Sequence, residues 1–449
     1  MDIAAISLIG ILIGVALLII LSYKGIPPIF SAPICAIVVL AFSWQNLLSG
    51  MITTYMGGFG TFATKYFLTF LTGSIFGSVM GDSGAAKSLA VKFARLAKRS
   101  KKNAKLFTVL SIVAVATILA YGGISSFVAM FTIIAVAKEL FREMDVPWRI
   151  YGAQILGSGC LAMTILPGSP SIPNVISAQT FGTTAMAAPV LSLCAAVFAL
   201  CLGIIYISWE IRHAEKIGEG FEPTGAEIAK TISPDANFHE LSLIKCITPS
   251  LVLVVLYNLC SRMAEFQAVS TSAVVTATLV AIFVAYGLYW NRLHEKMNTA
   301  KAGMSLAINS ICVVSMVVAF GTVVQAAPGF ETIVALMEKL PGPPIVQLIV
   351  AVNVTAGITG SASGGLGIAL NSFADRFINL GIDPQILHRI ATMSSAGLGT
   401  LPHNSSVINE LNVAKLTHKT GYRPIGVCAV VIPILTVIFA AILSQLGVV

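Results

Sequence analysis

Apolar residues run in long, nearly uncharged tracts at about 3–22, 27–43, 58–81, 148–182, 185–209, 244–261, 267–290, 302–325, 384–413 and 424–447. A helix that crosses a bilayer needs roughly 20 mostly apolar residues, and these tracts supply them. The alternating segments of about ten residues that mark a membrane β-barrel do not occur. The pattern predicts an all-α polytopic membrane protein.

Two further stretches, 106–140 and 344–378, are too long for one span, and each is interrupted midway by small residues. The first interruption reads Tyr121-Gly122-Gly123-Ile124-Ser125-Ser126 and the second Thr359-Gly360-Ser361-Ala362-Ser363-Gly364-Gly365. Each flank of about 15 residues would rise roughly 22 Å, short of a hydrocarbon core of about 30 Å. The lengths predict two re-entrant hairpins that enter and leave on one side.

Two of the spans are themselves broken at Leu-Pro. Residues 148–182 carry Leu166-Pro167-Gly168-Ser169-Pro170-Ser171-Ile172-Pro173-Asn174, and 384–413 carry Leu401-Pro402-His403-Asn404-Ser405-Ser406. Hairpin, broken helix and a final unbroken span thus follow in the same order twice. Ser125 and Pro167 are 42 residues apart, Ser363 and Pro402 39. The expected organisation is a first inverted repeat over 1–210, a cytoplasmic linker over 211–243 and a second inverted repeat over 244–449.

Composition and charge agree with lipid. Of the 449 residues, 56% are hydrophobic and 10% charged, where a soluble domain is about a quarter charged. The net charge of +8 does not point to nucleic acid, because the basic residues gather in a few loops, as the positive-inside rule requires. Residues 92–105 hold Lys92, Arg95, Lys98, Arg99, Lys101, Lys102 and Lys105 without an acid. This places 92–105, 211–243, 290–301 and 414–423 in the cytoplasm and both termini outside. The eight cysteines are scattered singly through apolar tracts, with no disulfide or metal-ligand spacing. Ile3 to Leu21 lacks a basic leader and a cleavage site and reads as a retained span.

Interruptions at membrane depth point to transport. Backbone there must be hydrogen-bonded, so unwound segments persist only where they line a cavity within the protein. Half-helices starting after Ser126, Pro173, Gly364 and Ser405 would present free N–H groups and a partial positive charge, suited to a carboxylate without a buried arginine. Paired discontinuous helices in inverted repeats are the strongest sequence pointer to a transporter's binding site. The candidate substrate contacts are Gly123, Ser125, Ser126, Ser361, Ser363 and Gly364 at the hairpin tips, and Ser169, Ser171, Asn174, His403, Asn404 and Ser405 in the breaks. No metal site or cofactor is expected beyond a coupling proton or sodium ion.

The order of hairpins and broken helices resembles the ion transporter superfamily, which includes divalent-anion/sodium symporters. Gly57-Gly58-Phe59-Gly60, Gly81-Asp82-Ser83-Gly84-Ala85-Ala86 and the Gly122–Phe127 tip more closely resemble the gluconate permease (GntP) family. That family often carries Ser-His-Val-Asn-Asp late in the chain, whereas this sequence reads Pro402-His403-Asn404-Ser405 there, with a His and an Asn but no Asp. The resemblance implies proton- or sodium-coupled symport of a small organic carboxylate: gluconate, hydroxybutyrate or another short acid. It also implies an elevator mechanism, a homodimer and a place in a bacterial inner membrane.

Single residues carry two readings each. His403 lies deep in an apolar tract and fits either a neutral histidine bonded to backbone or a proton or substrate role. His388 is placed near a span end, Asp82 at a helix end, and Glu410 beyond the break, toward the cytoplasmic end of the scaffold. A cation/proton antiporter would need a buried acid at the helix crossing, and the breaks contain none. A passive organic-anion channel is separated from a symporter by uphill flux. Gly157-Ser158-Gly159 lacks the spacing of a hydrolase nucleophile elbow, and no enzyme chemistry is expected.

Overall fold

The protein is an all-α polytopic membrane protein. The computed structural model describes residues 3–98, 103–121, 126–169, 171–232, 239–260, 263, 272–293, 295–338 and 341–449. Among them, six helices are long and apolar enough to cross a membrane.

The chain opens with α1 (Ile3–Tyr23) and α2 (Pro28–Phe42), an antiparallel pair in which Gly10 and Gly14 let Phe42 and Val39 approach. A turn of π-helix leads into α3 (Met56–Asp82), followed by the amphipathic α4 (Ala85–Lys98). The first hairpin consists of α5 (Ala104–Tyr121) and α6 (Ser126–Glu143). The first broken helix enters through Trp148–Gln154 and the wide π-helical Leu156–Ile165, unwinds, and resumes as α7 (Ile172–Phe181). The long α8 (Pro189–Lys216) ends this half.

The second half runs through the same order: α9 (Leu243–Cys260), α10 (Ser272–Tyr289), the long α11 (Lys296–Ala326) and the short α12 (Pro328–Glu338). The second hairpin is α13 (Pro344–Thr359) and α14 (Ala362–Asn379). Its broken helix is α15 (Pro384–Ala396) and α16 (Ser405–Val413), and α17 (His418–Gly426) with α18 (Ile432–Gln445) closes the chain. Proline at the first turn starts several of these helices, where its missing N–H costs nothing. Asp383 and Thr417 cap α15 and α17 with their side chains.

Helices α3 and α11, which occupy matching places in the two halves, form the spine. They run antiparallel, with Gly58 against Thr322 and Ala319 at one end and Gly303 against Ile75 in the other half of the contact. Asp82 ties them at the rim by accepting from the Thr299 hydroxyl at 2.6 Å. A Cβ on Gly303 would lie 2.7 Å from Ile75 Cα, a backbone clash that only separation of the two helices relieves. Gly303→Val is therefore expected to destabilise the protein by about 1–3 kcal/mol, the usual range for overpacking, visible as a lower melting point in detergent.

Three expectations need correction. Lys92, Arg95 and Lys98 belong to the helix α4 rather than to a loop. The segment between the halves is not all linker, because α8 continues to Lys216. The rest is pinned to the body: Glu219 holds Arg149 at 2.8 Å, Asp145 accepts from the Phe221 backbone N–H, and Glu240 takes both Lys92 and Arg95. Hydrogen bonds from those two cations hold the Glu240 carboxyl below the usual carboxylate range. Finally, α12 was not foreseen between the span 302–325 and the second hairpin.

Candidate functional site

The breaks are locally encoded. Gly360 closes α13 in the left-handed conformation, φ +61°, which glycine adopts without strain. Ser361 then caps α14, its Oγ accepting from Gly364 N–H at 3.1 Å. The hairpin arms touch so closely that a Cβ on Gly365 would sit 2.2 Å from Ala356 Cα. In the second broken helix Asn404 caps α16, Oδ1 accepting from the N–H groups of Ser406 at 2.8 Å and Val407 at 3.1 Å. Its Nδ2 donates to Gly360 O at 2.9 Å and to Gly399 O at 2.5 Å. One amide thus caps a half-helix, ties off a carbonyl left by the unwound turn and fastens the break to the hairpin tip.

Asn174 repeats one of these bonds in the first half but caps no helix. Its Nδ2 donates to Ser169 O at 2.7 Å, five residues back as in the Asn404–Gly399 bond, and to Ala185 O. Its Oδ1 can only accept, so the His388 Nε2 at 2.6 Å carries the proton and His388 Nδ1 accepts from the Thr183 hydroxyl. Arg389 reaches the same oxygen and the carbonyls of Ala185 and Ala187. Both His388 and Arg389 are fully buried. His388 therefore does not sit at a span end facing water: α15 crosses α7 there, and carbonyls freed by the turn after α7 take up the charge of Arg389.

A cavity of about 400 Å³ lies where the second hairpin tip, both broken helices and the spine meet. It collects Ser361, Ser363, Gly364, Asn404 and Ser405 of the sequence-predicted contacts. The N-termini of α14 and α16 both open into it. From the other half it receives Met163, Thr164, Ile172 and Pro173. Ser169, Ser171, Asn174 and His403 stand behind this surface, outside the lining. Ser171 Oγ donates to Met163 O and Ser169 is buried. His403 Nε2 donates to Gly357 O at 2.9 Å, with its ring against Gly360. Ser126 opens α6; Gly123 and Ser125 lie outside the described residues, although Tyr121 beside them donates its hydroxyl to Pro167 O at 2.8 Å.

Among the polar residues of the lining not foreseen as contacts, Gln154, Ser158 and Glu410 form a connected group. Ser158 Oγ donates to Gln154 Oε1 at 3.0 Å, and Gln154 in turn bonds the Glu410 carboxyl. Their signal was present in the sequence. Gln154 and Ser158 are four apart in an uncharged stretch, so they share a helical face. Glu410 is the last acid of the chain and stands among apolar residues, a functional candidate by default. Its placement at a cytoplasmic end is corrected: it is 3% exposed and borders the cavity.

The uncharacterized transporter YxjC of Bacillus subtilis (strain 168) is 32% identical, with 93% of this chain and 95% of the relative aligned. The crystal structure of the Alcanivorax borkumensis YdaH transporter, described as having an unusual topology, aligns over 89% of each chain at 15% identity and a TM-score of 0.37. No protein-family model matches the chain.

Proposed function

Because the chain belongs to the family of the Bacillus subtilis transporter YxjC, and so is a transporter rather than an enzyme, we propose that it is a secondary active symporter of a small organic carboxylate. The observation that carries this reading is the convergence of two half-helix N-termini, at Ser361 and Asn404, on one 400 Å³ cavity. The described lining includes no lysine or arginine. An anion held there is stabilised by backbone N–H groups and serine hydroxyls, with the half-helix dipoles opposing its charge.

The volume suits an acid of a few carbons, and the polar rim suits one that also carries hydroxyls, such as gluconate or hydroxybutyrate. The likeness to the gluconate permeases at Gly57–Gly60 and Gly81–Ala86 points the same way. Matching element order in the two halves, with the matching helices α3 and α11 antiparallel, supports an inverted repeat. The arms of the second hairpin end against the breaks, which supports re-entrance there, whereas the 18-residue α5 of the first hairpin is long and apolar enough to cross. We place the protein as a homodimer in a bacterial inner membrane.

A second reading, cation/proton antiport, gains from Glu410, a buried acid beside the helix crossing. Purified protein in liposomes, given a panel of carboxylates with proton and sodium gradients imposed separately, distinguishes the two. One of the gradients is expected to drive uphill accumulation of at least one short hydroxy acid. Accumulation under neither gradient sinks the symporter; dissipation without uphill movement makes the protein a channel, and proton release driven by a cation alone makes it an antiporter.

A further inference from the structure

We infer that Glu410 is the group that binds the coupling proton, so that the carrier accepts its carboxylate substrate only with this side chain in the acid form. The inference rests on the symport reading and names its coupling ion.

Four observations converge on this residue. Glu410 is the only acid among the described lining residues of the cavity. It is 3% exposed, and its Oε1 has no hydrogen-bond partner among the described residues. The carboxyl is linked through the Gln154 amide to the Ser158 hydroxyl, which also lines the cavity. Among the described residues no cation pairs with it. The titratable groups facing it are the Tyr151 hydroxyl and the Cys428 thiol, both uncharged in their ordinary state at neutral pH. On the helices packed against α16, Lys138 and Glu143 of α6 are engaged with Thr231 and Lys98. Lys296 at the start of α11 donates to Leu293 O. His418 and Arg423 of α17 meet Pro402 O and Glu210. Glu139 and Arg142 stand in the last turns of α6, Lys301 in the second turn of α11, and Lys419 at the start of α17.

The other candidate for a proton carrier, His403, is fixed by its bond to Gly357 O and lies outside the lining. Arg389 is held by the carbonyls of Ala185 and Ala187 and lies outside the cavity lining.

The physics ties proton to substrate. A lone carboxylate without a cation is costly to bury, and a second anion in the same small, low-dielectric cavity repels it. A proton that adds to the free oxygen Oε1 removes both penalties. The neutral acid also has an O–H to donate, so it can bond the arriving anion. When the cavity opens to the other side, substrate leaves and the proton follows to water, restoring the carboxylate. Proton and anion move together, one for one at this group.

Glu410→Gln mimics the acid form permanently. In proteoliposomes the variant is expected to retain exchange of labelled for unlabelled substrate, which needs no proton release, and to lose accumulation driven by a proton gradient. Its exchange should also lose the pH dependence of the wild type. Glu410→Asp, which keeps the titratable group and guards against a folding defect in the first variant, should remain coupled with a displaced pH profile. Proton-driven accumulation undiminished in Glu410→Gln overturns the inference. So does uptake by the wild type that only sodium drives, or loss of exchange in a folded Glu410→Gln protein. These outcomes leave symport standing, whereas a wild type that accumulates no carboxylate under either gradient removes the symport reading itself.

Discussion

Replacing Ser363 with leucine is expected to lower uptake about 5- to 150-fold, the range that an overpacking penalty of about 1–3 kcal/mol gives when it falls on substrate binding. Ser363 is the second residue of α14 and lines the cavity beside Ser361 and Gly364. A leucine there occupies the space over the helix N-terminus and removes a hydroxyl at the end where the anion's charge is offset. The fold should tolerate it, because the side chain points into open volume; detergent-purified variant should elute and melt like the wild type. Leucine 193, 54% exposed on α8, provides the control, since Leu193→Phe changes a residue on the outer surface and should leave uptake intact. Equal losses in both variants would mean that Ser363 acts through stability and not through the site.

The spans were legible because lipid permits few alternatives: a stretch that crosses it is an apolar helix or a strand of a closed barrel, and the barrel pattern is absent from the sequence. The breaks were legible for a related reason. Leu401-Pro402-His403-Asn404 carries a proline that cannot continue the helix and an asparagine whose amide can cap the next one. Asn404 does both jobs expected of a residue in an unwound turn, and it borders the cavity. Its counterpart Asn174 shares only the bond to the carbonyl five residues back; its Oδ1 caps no helix and serves the packing of α7 against α15. Sequence spacing cannot tell those two cases apart, because the difference lies in which helix crosses in front.

Charged residues were misplaced by the same logic that made the spans easy to find. His388 was read as lying near a span end, where ionised groups normally sit, and its neighbour Arg389 shares its place. They are buried because the loop 182–188 turns its carbonyls inward at that point. Glu410 lies five residues past its break, and only the crossing of the first broken helix, with Gln154 and Ser158, turns its face to the cavity. The short α12 escaped notice because eleven residues with a half-apolar face resemble a connector between two spans.

Arg389→Leu should cost the protein most of its folded yield. Among the described residues the guanidinium has no acid partner; it is held at 3.1 Å and 2.9 Å by the carbonyls of Ala185 and Ala187, and it also touches Asn174 Oδ1. Hydrogen bonds involving a charged group contribute about 1.5–3 kcal/mol each, so the loss of the two carbonyl contacts alone is worth about 3–6 kcal/mol. That is comparable with the total stability of a typical domain, about 5–15 kcal/mol. The loop between α7 and α8 would lose its anchor to α15, and with it the register of the two broken helices. Arg389→Lys keeps the charge, but an ammonium lacks the planar fork that spans two carbonyls at once, so it should rescue the yield only in part. The measurement is the monodisperse fraction after extraction, followed by uptake per mole of folded protein. Because Arg389 stands outside the cavity lining, whatever folds should still transport. A leucine variant that folds in full yield yet carries no substrate would instead put this guanidinium in the path of the anion.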